Sequence, residues 1–184
     1  MQSLKTKKVA VVVTNGFEQS EFEEPVNALR KEGAEVVVIS LTTDKIKSWK
    51  DKGWGDEFEV QKAIDDVSAT DYDALVLPGG VMNPDQLRAN KAVVAFATEF
   101  MKSGKSVAAI CHGPWTLVET GELKGRTVTS FPSLQTDLKN AGATWVDKEV
   151  VVDKGLITSR NPGDLPAFCA KLIEEISEGV HNRK

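Results

Sequence analysis

Apolar residues alternate along this chain between short unbroken runs and helically spaced stripes. Val9 to Val13 is a continuous apolar run and Glu35-Val36-Val37-Val38-Ile39-Ser40 a second; Ala74 to Leu77 and Val107 to Ile110 follow. Runs of this kind, without polar alternation, mark strands buried on both faces of a sheet. Between them lie stretches of helical period. Phe22, Val26 and Leu29 share one face of a helix expected over 20–32, with Gly33 as its stop. Further helices are expected over 92–103, 114–120, 134–141 and 164–178. Thr127 to Thr129 reads as a short strand, and Val150 to Val152 with Leu156 to Thr158 as a hairpin across Asp153-Lys154-Gly155. Strands alternating with helices predict an α/β fold, a mostly parallel sheet covered on both faces. Residues 44–63 break the rhythm, with Lys, Gly53 and Gly55 around Trp49 and Trp54. They read as a surface hairpin or excursion on a single domain spanning 1–184.

One junction stands apart. Ser106 to Ile110 runs directly into Cys111-His112-Gly113-Pro114. Glycine permits a crowded backbone, and proline presets the first helical turn. The sulfur is thereby presented on a strand-to-helix elbow, as the serine is in α/β-hydrolases. Amides at the helix start are expected to pull the thiol below its ordinary pKa of about 8.5.

In doubly wound sheets, reactive groups gather at the carboxyl ends of the strands. That rule adds two turns to the elbow. Gly79-Gly80 follows the third long strand, where amides of Gly79, Gly80 and His112 can form an oxyanion hole. Glu18 follows the first strand; a carboxyl near a thiolate would have its pKa raised and could hold a proton for it.

Composition narrows the function classes. Lys and Arg total 23 against 27 Asp and Glu, a net charge of −4, so nothing argues for nucleic acid. No apolar run approaches the ~20 residues of a membrane span, and the basic N-terminus lacks a signal-peptide core. Two cysteines make no disulfide framework, which suits a reduced, cytoplasmic protein. The two histidines, His112 and His181, form no zinc-like spacing with cysteine, and no metal or cofactor is expected. Cys169 reads as a packing residue of the last helix, and His181 as part of a polar tail.

The residues Phe17-Glu18, Leu77-Pro78-Gly79-Gly80, Pro84-Asp85, Ala109-Ile110-Cys111-His112-Gly113-Pro114 and Ser159-Arg160 to Ala167 together resemble the PfpI branch of the DJ-one/PfpI superfamily. The resemblance runs from Lys8 to Ile176 in matching order. It implies a flavodoxin-like three-layer sandwich, a homodimer or larger assembly, and a stress-protective role. It implies Cys111 as nucleophile, Glu18 as the carboxyl touching it, His112 as a base, and Asp85 from a neighbouring subunit as third member of a peptidase triad. Asp85 stands where the family's peptidases carry glutamate, and Trp115 where relatives carry glutamine, adding bulk beside the thiol. The activities implied are peptidase, or glyoxalase and deglycase chemistry on small carbonyl compounds. The alternative is a redox sensor or chaperone whose Cys111 is oxidised to sulfenate or sulfinate and held by Glu18.

Overall fold

The computed structural model describes residues 4–181. Its strands are β1 (Lys8–Val12), β2 (Glu35–Ser40), β3 (Ile46–Lys50), β4 (Gly53–Phe58), β5 (Lys62–Ala63), β6 (Ala74–Leu77), β7 (Ser106–Ile110), β8 (Thr127–Val128), β9 (Thr144–Trp145), β10 (Val150–Asp153) and β11 (Leu156–Ser159). The helices are α1 (Gln19–Lys31), α2 (Met82–Ala89), α3 (Lys91–Ser103), α4 (Pro114–Val118), α5 (Gln135–Asn140) and α6 (Leu165–Glu178).

Seven strands form the central sheet in the order β10-β11-β7-β6-β1-β2-β5. All neighbours pair in parallel except β10 with β11. The strand side chains divide between two apolar layers because successive residues point to opposite faces. Val9 and Val11 face one core with Phe22, Val26 and Leu29 of α1 and Phe168 and Leu172 of α6. Ala10 and Val12 face the other, with Leu87 of α2, Phe96 and Phe100 of α3 and Leu117 of α4. This is the expected flavodoxin-like α/β sandwich. None of the described helices is long and apolar enough to cross a membrane.

The first helix is displaced by a single residue at each end from its expected span, and 35–40 and 74–77 are strands as expected. Helix α2 was not expected: Asn83 and Pro84 interrupt its pattern, and only eight residues carry it. The helix expected over 114–120 stops at Val118. The excursion is a hairpin, β3 paired antiparallel with β4, whose two-residue turn places Asp51 and Lys52 at φ 49° and 66°. Two successive positive φ values give the turn a twist that matches the strands it joins.

The hairpin is bound to the front of α1. Trp49 donates its amide to the Phe17 carbonyl at 2.6 Å, and Gly16 donates to Lys47 at 2.8 Å. Gln19 is buried beneath it, accepting from Ser48 Oγ at 2.9 Å and from the Asp56 amide at 3.2 Å while donating to Asp56 Oδ2 at 2.7 Å. Phe58 adds an apolar anchor, its ring 5.0 Å from Phe22 and 5.6 Å from Phe17.

Candidate active site

The strand order reverses at β1: β2 lies on one side of it and β6 and β7 on the other. The crevice at such a reversal is where α/β sheets bind ligands. Here it collects the turns after β1, β6 and β7.

Cys111 adopts φ 62°, the left-handed region that side-chain-bearing residues avoid. The elbow is held there from several sides. Cys111 donates its amide to Ser159 at the end of β11, its carbonyl accepts from Phe131, and Gly113 donates back to Ile110 at 2.8 Å. A Cβ on Gly113 would collide with the carbonyls of Leu77 and Ile110, so only glycine fits. A strained residue of this kind costs on the order of 1–3 kcal/mol and persists only where its surroundings over-determine it.

The carboxyl on the sulfur belongs to Glu21, not to Glu18. Glu21 lies in the first turn of α1, is completely buried, and reaches hydrogen-bonding contact with the Cys111 thiol. Its Oε2 accepts the Gly79 amide at 2.9 Å. Its Oε1 is buried and has no hydrogen-bond partner. Glu18 precedes the helix at its N-cap; its carboxylate accepts from Ser20 Oγ at 3.4 Å and lines the cavity mouth. The three-residue offset is nearly one helical turn, which is what carries Glu21 inward and leaves Glu18 at the rim.

Burial pushes Glu21 up to about 8. It therefore holds its proton at neutral pH. Burial also pushes the Cys111 thiol up, and an ionised Glu21 would push it further, while the amides of His112 and Gly80 pull it down. The expected helix-driven acidification is thus corrected: α4 is a single short turn, and desolvation outweighs the two amides. With Glu21 neutral its like charge disappears, and its O–H can donate to a thiolate instead. The pair shares its protons as a unit.

His112 does reach the sulfur, its Nδ1 lying 3.2 Å from Sγ. Burial lowers its pKa, which keeps the imidazole neutral and basic. Its Nε2 meets Ser133 Oγ at 3.2 Å, and Phe131 stacks on the ring at 4.7 Å. Ser133 and Phe131 orient the histidine within one chain. Asp85 is exposed on α2 and is not among the residues lining the cavity.

The oxyanion set loses a member. Gly79 spends its amide on Glu21, leaving those of Gly80 and His112 directed at the sulfur region. The glycine turn is secured by Asn83, fully buried, which donates to the carbonyls of Pro78 at 2.9 Å and Gly79 at 3.1 Å and accepts from Thr14 at 2.8 Å. Asn83 clamps the β6 turn to the end of β1. Trp115 turns away from the thiol: its indole donates to Asp137 at 2.9 Å, and the Arg88 guanidinium lies 4.8 Å over its ring. Cys169 is a packing residue of α6, its thiol pushed up to about 12 by burial.

Above the sulfur opens a cavity of about 480 Å³, walled by Trp49, Val81, Met82, Phe131 and Pro162, with Glu18, Glu21, Cys111 and His112 at its polar end. The lining is mostly apolar, with ionisable groups concentrated at one place.

Residues 7–175 match the DJ-1/PfpI family. The chain belongs to that family. It is 48% identical to general stress protein 18 of Bacillus subtilis over 88% of this chain and 93% of that protein. It is 46% identical to putative cysteine protease YraA of the same organism, covering 89% of this chain and 94% of that one. Protein/nucleic acid deglycase 2 of Escherichia coli is likewise 46% identical, with the same coverages. Among solved structures, a two-domain protein of Anabaena variabilis with DJ-1/ThiJ/PfpI-like and ferritin-like domains superposes with a TM-score of 0.88 at 40% identity. That match covers 92% of this chain but only 48% of the Anabaena protein, so the family member described here spans about half its length.

Proposed function

We propose that this DJ-1/PfpI family member is a stress-protective, cysteine-dependent hydrolase of reactive carbonyl compounds and the adducts they form. It would work in the cytoplasm, where reducing conditions keep both its thiols free. The observation that carries this reading is the fully buried carboxyl of Glu21 set against the sulfur of a strained Cys111. His112 Nδ1, 3.2 Å from the sulfur, takes the thiol proton as the sulfur attacks the aldehyde carbon; a C–S bond forms and the carbonyl electron pair moves to oxygen. That oxygen takes the proton held by Glu21 and is steadied by the amides of Gly80 and His112. The carboxylate thus produced can move the proton from the attacked carbon to the neighbouring one while the hydroxyl proton passes to the neighbouring carbonyl oxygen, leaving a thioester. Water attacks its carbonyl carbon, the C–S bond breaks, and the sulfur regains its proton from His112 as the acid leaves. A carboxyl held neutral at pH 7 suits the first step, and its ionised form suits the second. The relative named as a deglycase supports this substrate class.

Peptide hydrolysis is the second reading, supported by the 3.2 Å contact between His112 Nδ1 and the sulfur and by the relative named as a putative cysteine protease. Purified protein incubated with methylglyoxal, and separately with an unstructured peptide, distinguishes the two. Methylglyoxal consumption should fall at least 100-fold in Cys111→Ala and in Glu21→Gln, and at most about threefold in Glu18→Gln. Full activity in Glu21→Gln would overturn the assignment of Glu21. Peptide cleavage without methylglyoxal turnover would favour the peptidase. Oxidation of Cys111 with neither activity would leave the sensor role.

A further inference from the structure

On the far side of the molecule from the thiol cavity, the last turn of α6 carries Glu175 and Glu178, three residues apart and therefore on one face. Gly179, at φ 89°, ends the helix and lets the chain turn back. His181 then donates its amide to Gly104 at 2.8 Å, which swings its ring over the helix end. The ring lies against Gly155 in the β10–β11 turn, where a Cβ would stand 2.5 Å from its Cδ2. Gly104 thus makes room for the backbone of His181 and Gly155 for its ring. The ligand atoms of Glu175, Glu178 and His181 all lie within 4.8 Å of one another.

We propose that Glu175, Glu178 and His181 form a binding site for a divalent metal ion of the zinc class. Three features point there. His181 Nε2 stands 3.3 Å from Glu175 Oε2. Nitrogen and oxygen ligands on a tetrahedral zinc, each about 2.0–2.1 Å from the ion, are separated by about 3.3–3.4 Å. Nε2 also lies 3.2 Å from the Glu175 carbonyl oxygen, a contact that a metal bridging Nε2 and Oε2 would replace. Second, the Glu175 side chain is only 9% exposed. The nearby ammonium of Lys171 is engaged by Glu174 at 2.6 Å. Third, the site sits at the negative end of a fourteen-residue helix, where a cation is favoured. Glu178 is exposed and free to rotate inward as the third ligand, with water completing the shell. Bound metal would clip the C-terminal segment to the turns containing Gly104 and Gly155.

Isothermal titration of untagged protein with zinc, after alkylation of Cys111 to remove the competing thiol, tests the site. One zinc per chain is expected. Affinity should drop at least tenfold in Glu178→Gln, whose exposed side chain leaves folding intact, and binding should vanish in His181→Ala. Cobalt in place of zinc should give a tetrahedral visible spectrum without a sulfur charge-transfer band, and zinc should raise Tm of the parent, raise it less in Glu178→Gln and leave it unchanged in His181→Ala. Binding unchanged in both variants, loss of binding on alkylation, or no saturable binding would each overturn the proposal.

Discussion

At the scale of single residues, the chemistry depends on which carboxyl lies against Cys111, and a separation of three positions decides it. Phe17-Glu18 carries the sequence resemblance, so Glu18 attracts attention. Glu21 sits among Ser20, Phe22, Glu23 and Glu24, where acidic residues ordinarily face solvent. The signal that could have found it is helical phase: Glu21 falls beside Phe22 and Val26 on the inward face of α1, a place where an acid is costly unless it has a task. Asn83 was equally hidden, because a buried amide that clamps two turns leaves no periodic trace. The buried acid has a measurable consequence. Its folded pKa of about 8 lies above its ordinary value of 4.5, so the native state holds a proton that the unfolded chain releases between those values. Stability from this group is complete below about pH 4.5 and is lost as pH rises through 8. Glu21→Gln cannot titrate. The difference in unfolding free energy between parent and variant should therefore move against the parent by a few kcal/mol from pH 5 to pH 8. Denaturant titrations at both pH values check this, and a constant difference would mean that Glu21 is ionised throughout.

At the scale of elements, the strands and long helices were readable because burial imposes a period: β1, β2, β6 and β7 are unbroken apolar runs, and α1, α3 and α6 carry stripes. Several of the short pieces were not. β5 and β9 are two residues each, and α2 owes its existence to the turn that Asn83 secures. Residues 44–63 were foreseen as a surface hairpin or excursion, and β3 and β4 form that hairpin. Its seat on α1 was not foreseen, since Gln19 makes that connection through side-chain bonds with no sequence pattern. Removing Gln19 leaves the Asp56 amide and Ser48 hydroxyl with one partner fewer beneath a buried surface. Gln19→Ala should cost about 1–3 kcal/mol and loosen the hairpin first. Hydrogen exchange would report faster exchange at Ser48, Trp49 and Asp56 with β1 and β7 unaffected. Trp49 belongs to the cavity wall rather than to the reacting groups. Trp49→Ala should therefore raise KM for an apolar carbonyl substrate several-fold while kcat changes less than twofold. A selective fall in kcat would instead give the indole a part in the chemical step.

At the scale of the whole molecule, the question is whether one chain carries a complete site. Sequence resemblance looked to Asp85 of a second subunit to orient His112. Within the chain, Ser133 already meets Nε2 of that histidine and Phe131 covers its ring, while the Glu21–Cys111 pair is assembled from α1 and the β7 elbow alone. All of these groups rest on the rigid sheet and its two apolar layers, so assembly is not needed to bring them together. Carbonyl chemistry and peptide hydrolysis then make different demands on a partner. The first needs the sulfur, the acid and two amides; the second needs a histidine held for proton transfer to an amine leaving group. Asp85→Ala should leave Cys111 alkylation and methylglyoxal consumption within about twofold of the parent, independent of protein concentration, while Ser133→Ala, which frees the His112 ring, lowers both. Sedimentation velocity on the same samples reports whether the chains associate. If dilution to monomer abolishes methylglyoxal turnover, and Asp85→Ala does the same at high concentration, then the neighbouring subunit completes the site and the single-chain account fails.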